Sequence, residues 1–214
     1  MLQVRNLDVS IQSVGILRNV SMQVPAGSFV GLIGRNGAGK TTLMRSVMGL
    51  LPVRKGSVAF DGKPLGGTPT HRRARGGIGY MPEDRRLVPG LTVEENVLVP
   101  AWSAGVRDPG PRLRSIYAMI PEVEQLAGRK ALLLSGGQQK LVALARAMMC
   151  GTRLLLLDEP FEGVAPALAH RLAEVISGLK QKGVSIVLTE SDLTHSRELL
   201  DMVYTIDRGE VTAA

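Results

Sequence analysis

Gly34-Arg35-Asn36-Gly37-Ala38-Gly39-Lys40-Thr41-Thr42 is the stretch that decides the fold. It follows the apolar run Ser28 to Ile33, which reads as a buried strand, and it opens a helical pattern from Gly39 to Leu50. A G-x-x-x-x-G-K-[ST] match counts only between a strand and a helix, and here the fixed positions and both flanking elements agree. Glycines at 34, 37 and 39 let successive backbone N–H groups turn toward one centre, and the positive end of the helix faces the same point, which makes an anion site for a β-phosphate. Lys40 then reaches the β- and γ-phosphates, and the Thr41 hydroxyl ligates Mg²⁺.

Downstream, Leu154-Leu-Leu-Leu-Asp158-Glu159-Pro160 is an apolar strand that ends in two carboxylates, an expensive place for charge unless a cation or a reacting group lies there. The expected roles are Asp158 in the magnesium shell and Glu159, aimed differently by one residue, as the base that polarises an attacking water. Leu134-Ser135-Gly136-Gly137-Gln138-Gln139 precedes an amphipathic helix that places Leu141, Leu144, Ala145, Met148 and Met149 on its apolar side. Taken alone, Ser135 reads as a helix cap. Taken with the first glycine loop, Ser135, Gly136 and Gly137 make a second phosphate-type site, which one chain with one ATP does not need, so it is expected to face the γ-phosphate on another subunit.

The rest of the chain is consistent with an α/β class. Its 214 residues are 44% hydrophobic, too apolar for disorder and long enough to bury a core without disulfides or structural metal. Arg153 to Leu157 and Val184 to Thr189 read as further buried strands of a mostly parallel sheet, whereas Met1 to Phe60 alternates as an antiparallel β layer. Between about Leu87 and Leu134, prolines at 89, 100, 109, 111 and 121 punctuate short helical pieces, an expected helical insertion that spans 87–150 once the helix after Ser135 is included. Twenty-six Lys and Arg against nineteen Asp and Glu give a formal charge of +7, which attracts anions without choosing a partner. Arg72-Arg73-Ala74-Arg75 and Arg85-Arg86 read as a solvated, partly Glu-paired face, with lipid headgroups as the alternative. Cys150 reads as buried packing, the three histidines lack ligand spacing, and neither a membrane span nor a signal peptide is legible, so the expectation is a soluble cytoplasmic chain.

GRNGAGKTT, LSGGQQ and LLLLDEP, in that order, resemble the nucleotide-binding subunit of an ABC transporter over nearly the whole chain, read as one domain over 1–214. The resemblance implies ATP and Mg²⁺ as cofactors and a sandwich in which the phosphate loop of one subunit faces Ser135, Gly136 and Gly137 of a second ATP-binding subunit, either another copy or a paralogue. It implies a helical subdomain that touches transmembrane permease subunits on the cytoplasmic face of the membrane, a solute-binding protein in the complex, and no nucleic acid. Tyr80-Met-Pro-Glu83 through Asn96, with PE where other ABC proteins have a glutamine loop, and Glu162-Gly-Val-Ala-Pro166 are similar to the branched-chain amino acid, urea and amide importers. Glu83 is thereby expected to contact the metal or the lytic water and to report nucleotide state to the permease. A non-transport ABC ATPase acting as a dimerising clamp is the alternative function.

This sequence departs from the family at four places. Ile11 stands where relatives carry an aromatic that stacks on adenine, Ser191 where many carry a histidine that reaches the γ-phosphate, and Ala165 where many place an aspartate. The sequence also ends at Val211-Thr-Ala-Ala, short of the C-terminal extension of many relatives. Base stacking is therefore expected to be weak and hydrolysis slow.

Overall fold

The computed structural model describes residues 1–213. Strands β1 (Leu2–Ile11) and β2 (Val14–Val24) pair as a hairpin whose turn passes through a left-handed Gln12, φ 55°. The inward set Leu2, Val4, Leu7 and Val9 slips by one residue at Asn6, and a register shift between Val4 and Leu7, with Asn6 at φ 48°, keeps all four side chains on the buried face. The chain then leaves this layer: β3 (Phe29–Ile33) runs into the loop at Gly34 and helix α1 (Lys40–Val47). It returns as β4 (Lys55–Phe60), which pairs with β1, and β5 (Lys63–Pro64). The antiparallel layer is therefore not one block from Met1 to Phe60, because residues 29–47 between its strands belong to the parallel sheet and its first helix.

After α2 (Thr70–Arg75) and β6 (Ile78–Met81) come α3 (Val93–Ser103), α4 (Gly110–Met119), α5 (Pro121–Gln125) and α6 (Gly136–Cys150). Strand β7 (Leu154–Asp158), helix α7 (Pro166–Gln181) and strands β8 (Ser185–Glu190), β9 (Met202–Asp207) and β10 (Glu210–Ala213) complete the order. The second sheet runs β10-β9-β3-β8-β7-β6, parallel except for the edge pair β9 and β10.

An all-leucine strand carries no visible alternation, yet the two faces of β7 are distinct. Leu155 and Leu157 join one core with α3 to α7, while Leu154 and Leu156 join the other with α1 and the antiparallel layer. The sheet is thus covered on both sides, as parallel sheets are. Helix α6 contributes Val142 to Met149 to the first core, so the helical stretch 87–150 shares its apolar interior with β7, β8 and α7. Helix α3 starts at a capping box in which the Thr92 hydroxyl accepts from the Glu95 N–H and the Glu95 carboxylate accepts from that of Thr92.

The basic run at Arg72–Arg75 is not uniformly solvated. Arg73 is 7% exposed, and its guanidinium donates to the carbonyls of Ser46, Val47, Leu65 and Thr68. It closes the C-terminal end of α1, where carbonyls lack intrahelical partners. Arg86 pairs with Asp84 at the surface, and Cys150 is buried. No helix among the described residues is long and apolar enough to cross a membrane.

Candidate functional site

Parallel pairing puts the carboxyl ends of β3, β6, β7 and β8 along one edge, where open α/β sheets bind ligands. Each strand delivers a polar group there: β3 the phosphate loop, β6 Tyr80 and then Glu83, β7 Asp158 and Glu159, β8 Thr189 and Glu190.

The loop bends because two glycines permit it. Gly39 sits at φ 114°, and a side chain at Gly34 would collide with the carbonyl oxygen of Ile206. Ala38 is buried, its carbonyl accepting from the Gly209 N–H at 2.9 Å. Lys40 is 3% exposed and its ammonium has three acceptors: the carbonyls of Gly34 and Arg35, at 2.5 and 3.2 Å, and Glu159 Oε1 at 2.9 Å. Asn36, Gly37, Gly39, Lys40, Thr41, Thr42, Glu83 and Glu159 line one cavity of about 390 Å³.

Asp158 is fully buried, and its partners among the described residues are three hydroxyls: Thr189 at 2.8 Å, Tyr80 at 3.1 Å and Thr41 at 3.2 Å. Burial pushes its carboxyl above the usual aspartate range, against the pull of those hydrogen bonds. A buried carboxylate held only by neutral donors, with Thr41 converging on the same oxygen as Thr189, fits a hard divalent cation. Asp158 and Thr41 would hold Mg²⁺, which when bound neutralises charge on the phosphates.

Glu159 has left-handed backbone, φ 49°, a conformation that costs about 1–3 kcal/mol in a non-glycine residue and persists only when its surroundings fix it. They do: its N–H donates to the backbone carbonyl of Thr189 at 3.2 Å and to the Thr189 hydroxyl at 3.1 Å. Burial alone would raise its carboxyl, but hydrogen bonds with Glu162 and Lys40 and the charges of Lys40 and Lys140 outweigh it and hold Glu159 low. Glu162 is pushed up to about 7, first by the hydrogen bond it shares with Glu159 and then by burial. Glu83, exposed at the cavity rim, is raised by partial desolvation and then by the charges of Glu159 and Asp158.

Glu190 is pushed up to about 8, mainly by burial, with Glu159 and Asp192 adding to the shift and the Phe161 N–H and Lys140 opposing it. This lies above the ordinary glutamate value of 4.5, so the native state keeps a proton that the unfolded chain has released. Stability is therefore expected to fall as pH rises from about 4.5 through 8. Glu190→Gln should remove this contribution and unfold at higher temperature than wild type at pH 9, with little difference at pH 5. Parallel melting curves across that range would contradict the assignment.

Other expected site residues lie elsewhere. Ile11, at the end of β1, is 40% exposed and is not among the residues lining the cavity, whereas Ile16 is. Ser191 is exposed in the bend after β8. Ser135 caps α6 in a second capping box with Gln138, the Gly136 carbonyl accepts from Arg85 at 3.1 Å, and Gly137 packs close to Leu168; none of the three lines the cavity of this copy. Sequence reasoning assigned no role to Tyr80, Thr189 or Lys140. Thr189 could have been found as a hydroxyl closing an apolar strand, and Lys140 as an ammonium on the apolar stripe of α6, four residues before Leu144.

A phosphate loop, a buried cation-seeking aspartate and an adjacent glutamate on the carboxyl edge of a parallel sheet define a phosphate-loop nucleoside triphosphatase. Residues 17–162 match the family model described as ABC transporter, and the chain belongs to that family. It is 34% identical over 91% of its length to BraG, a high-affinity branched-chain amino acid transport ATP-binding protein of Pseudomonas aeruginosa, covering 84% of that protein. It is 31% identical over its whole length to LptB, a lipopolysaccharide export ATP-binding protein of Haemophilus influenzae, covering 89% of it. Among solved structures, the dimeric post-hydrolysis state of the cassette MJ0796 bound to ADP and Pi superposes with a TM-score of 0.88 at 25% identity, over 99% of this chain and 96% of that one. The chain is an ABC ATPase that uses ATP and Mg²⁺.

Proposed function

We propose that this chain is the ATP-hydrolysing subunit of an importer for a small polar solute of the branched-chain amino acid, urea or amide kind. It works in pairs on the cytoplasmic face of transmembrane permease subunits that receive solute from a binding protein. One observation carries the reading. A groove of about 470 Å³ is lined by Thr41, Asp158, Glu83, Arg86, Val99 and Pro100, and Glu83 also lines the phosphate-loop cavity, so a permease segment seated in the groove would touch a residue shared with the nucleotide site. Glu83 in place of a glutamine, together with Glu162 to Pro166, favours the importer subfamily, and BraG is a relative with that printed role. The similarity to LptB supports lipopolysaccharide export as the second reading.

In the reading proposed, Lys40 and the loop N–H groups bind the phosphates, Asp158 and Thr41 hold the metal, and Glu159 takes a proton from the attacking water. Lys40 exchanges Glu159 for phosphate as ATP enters, which frees the carboxylate for that role. Ser135, Gly136 and Gly137 act on the phosphates of a second copy; Leu132 and Leu133, more than half exposed beside them, supply apolar surface for that contact.

Deleting the gene in its own organism tests the transport reading. Uptake of labelled leucine, urea or a short amide should fall at least tenfold for one of the three, and return with the intact gene. Undiminished uptake of all three, with glycolipid accumulating at the inner membrane, would overturn it in favour of export.

A further inference from the structure

Lys140 is the fifth residue of α6, the helix that begins at Ser135-Gly136-Gly137, and it points inward with 5% exposure. Its ammonium donates to the carbonyl oxygen of Glu159 at 2.9 Å and to that of Glu162. Among the described residues no carboxylate forms an ion pair with it; the charges of Glu190, Glu162 and Glu159 act on it from farther off, and its hydrogen bonds go to two backbone carbonyls. Neutral donors could close this turn at lower desolvation cost. What the ammonium adds is a charge-assisted grip on both ends of the segment 159–162, whose first residue is left-handed.

The grip bears on direction. The Glu159 N–H is tied to Thr189 on β8 and its carbonyl to Lys140 on α6, so the peptide planes on both sides of its Cα are fixed. With both planes fixed, the Cα–Cβ bond leaves the backbone along one vector, and the side chain that follows it reaches Lys40 beside the phosphate loop. Release of the carbonyl lets the segment relax toward the right-handed region, where the same side chain points elsewhere.

We infer that Lys140 is a positioning residue for hydrolysis: from the helix behind the second glycine motif it holds the 159–162 backbone so that the Glu159 carboxylate is aimed at the phosphate site. The inference rests on Glu159 being the catalytic carboxylate, and Glu159→Gln tests that premise separately. If Glu159→Gln keeps wild-type turnover, the premise fails; if it does not, Lys140 is judged on its own variants.

The test is steady-state ATPase of the full chain with Lys140→Met, which keeps the length and removes the charge, and Lys140→Arg, which keeps the charge and the donors. Affinity for a non-hydrolysable ATP analogue and the melting temperature are measured on the same samples. Misplacement of a reacting group by about 1 Å costs on the order of 100-fold. Lys140→Met is expected to lower kcat by roughly 10- to 100-fold with KM and analogue affinity within about threefold of wild type. Lys140→Arg is expected to return kcat to within about fivefold. Should the Met variant not fold, Lys140→Gln replaces it under the same thresholds. A kcat within twofold of wild type in the neutral variant, a KM that rises in step with the loss, or an Arg variant as slow as the neutral one would overturn the inference.

Discussion

Lys40→Ala is expected to weaken ATP binding by at least about 100-fold, roughly 2.7 kcal/mol, in a calorimetric titration with Mg²⁺ present. The side chain is buried, and each of its three donors already engages an acceptor at the mouth of the phosphate loop. Charge-assisted bonds to phosphate are about twice as strong as neutral ones, and no other ammonium lines this cavity among the described residues. Alanine also leaves the buried Glu159 carboxylate without its counterion, next to where the phosphate charge enters, so repulsion adds to the lost attraction. A Kd within threefold of wild type would show that ATP binding does not depend on Lys40.

Glu159→Gln is expected to fail differently: turnover falls by about 10²- to 10⁴-fold while ATP binding is kept or tightened. The amide has the shape of the carboxylate and can still accept from Lys40, but it cannot take a proton from water. It also removes a negative charge that sits 2.9 Å from Lys40 in competition with phosphate. The environment holds Glu159 ionised, as a base requires, whereas its neighbour Glu162 keeps a proton up to about pH 7. Equal rates for the variant and wild type would remove Glu159 from the chemistry.

How far the sequence reveals this site depends on whether a residue acts near its neighbours in the chain. The loop at 34–42 carries its structure with it, because its glycines, its lysine and the following helix are local, and Asn36, Gly37 and Gly39 to Thr42 line the cavity. The acidic pair after the leucine run is legible for the same reason, since a charge at the end of an apolar strand has a cost that can be read without coordinates. What stays hidden comes from distant strands. Tyr80 and Thr189 reach Asp158 across 78 and 31 positions, and no local pattern announces either bond. Ile16 lines the cavity, whereas Ile11, the residue to which spacing by resemblance points, ends β1 and is not among its lining residues. The leucines of β7 hide their alternation, as both faces of that strand are buried. Arg73, read among surface cations, is drawn inward by carbonyls at the end of a helix that the sequence places some 25 residues earlier.

In the reading proposed, ATP brings two copies of this chain together, with Ser135, Gly136 and Gly137 of one over the phosphate loop of the other. The most direct measurement is the solution mass of the Glu159→Gln variant by light scattering after size exclusion. With Mg²⁺ and ATP the mass is predicted to be about twice that of the 22.9 kDa chain. It should return to the single-chain value with ADP, and also when Ser135→Arg is added to the variant. A single-chain mass at saturating ATP, or a doubled mass that persists without nucleotide, would contradict it.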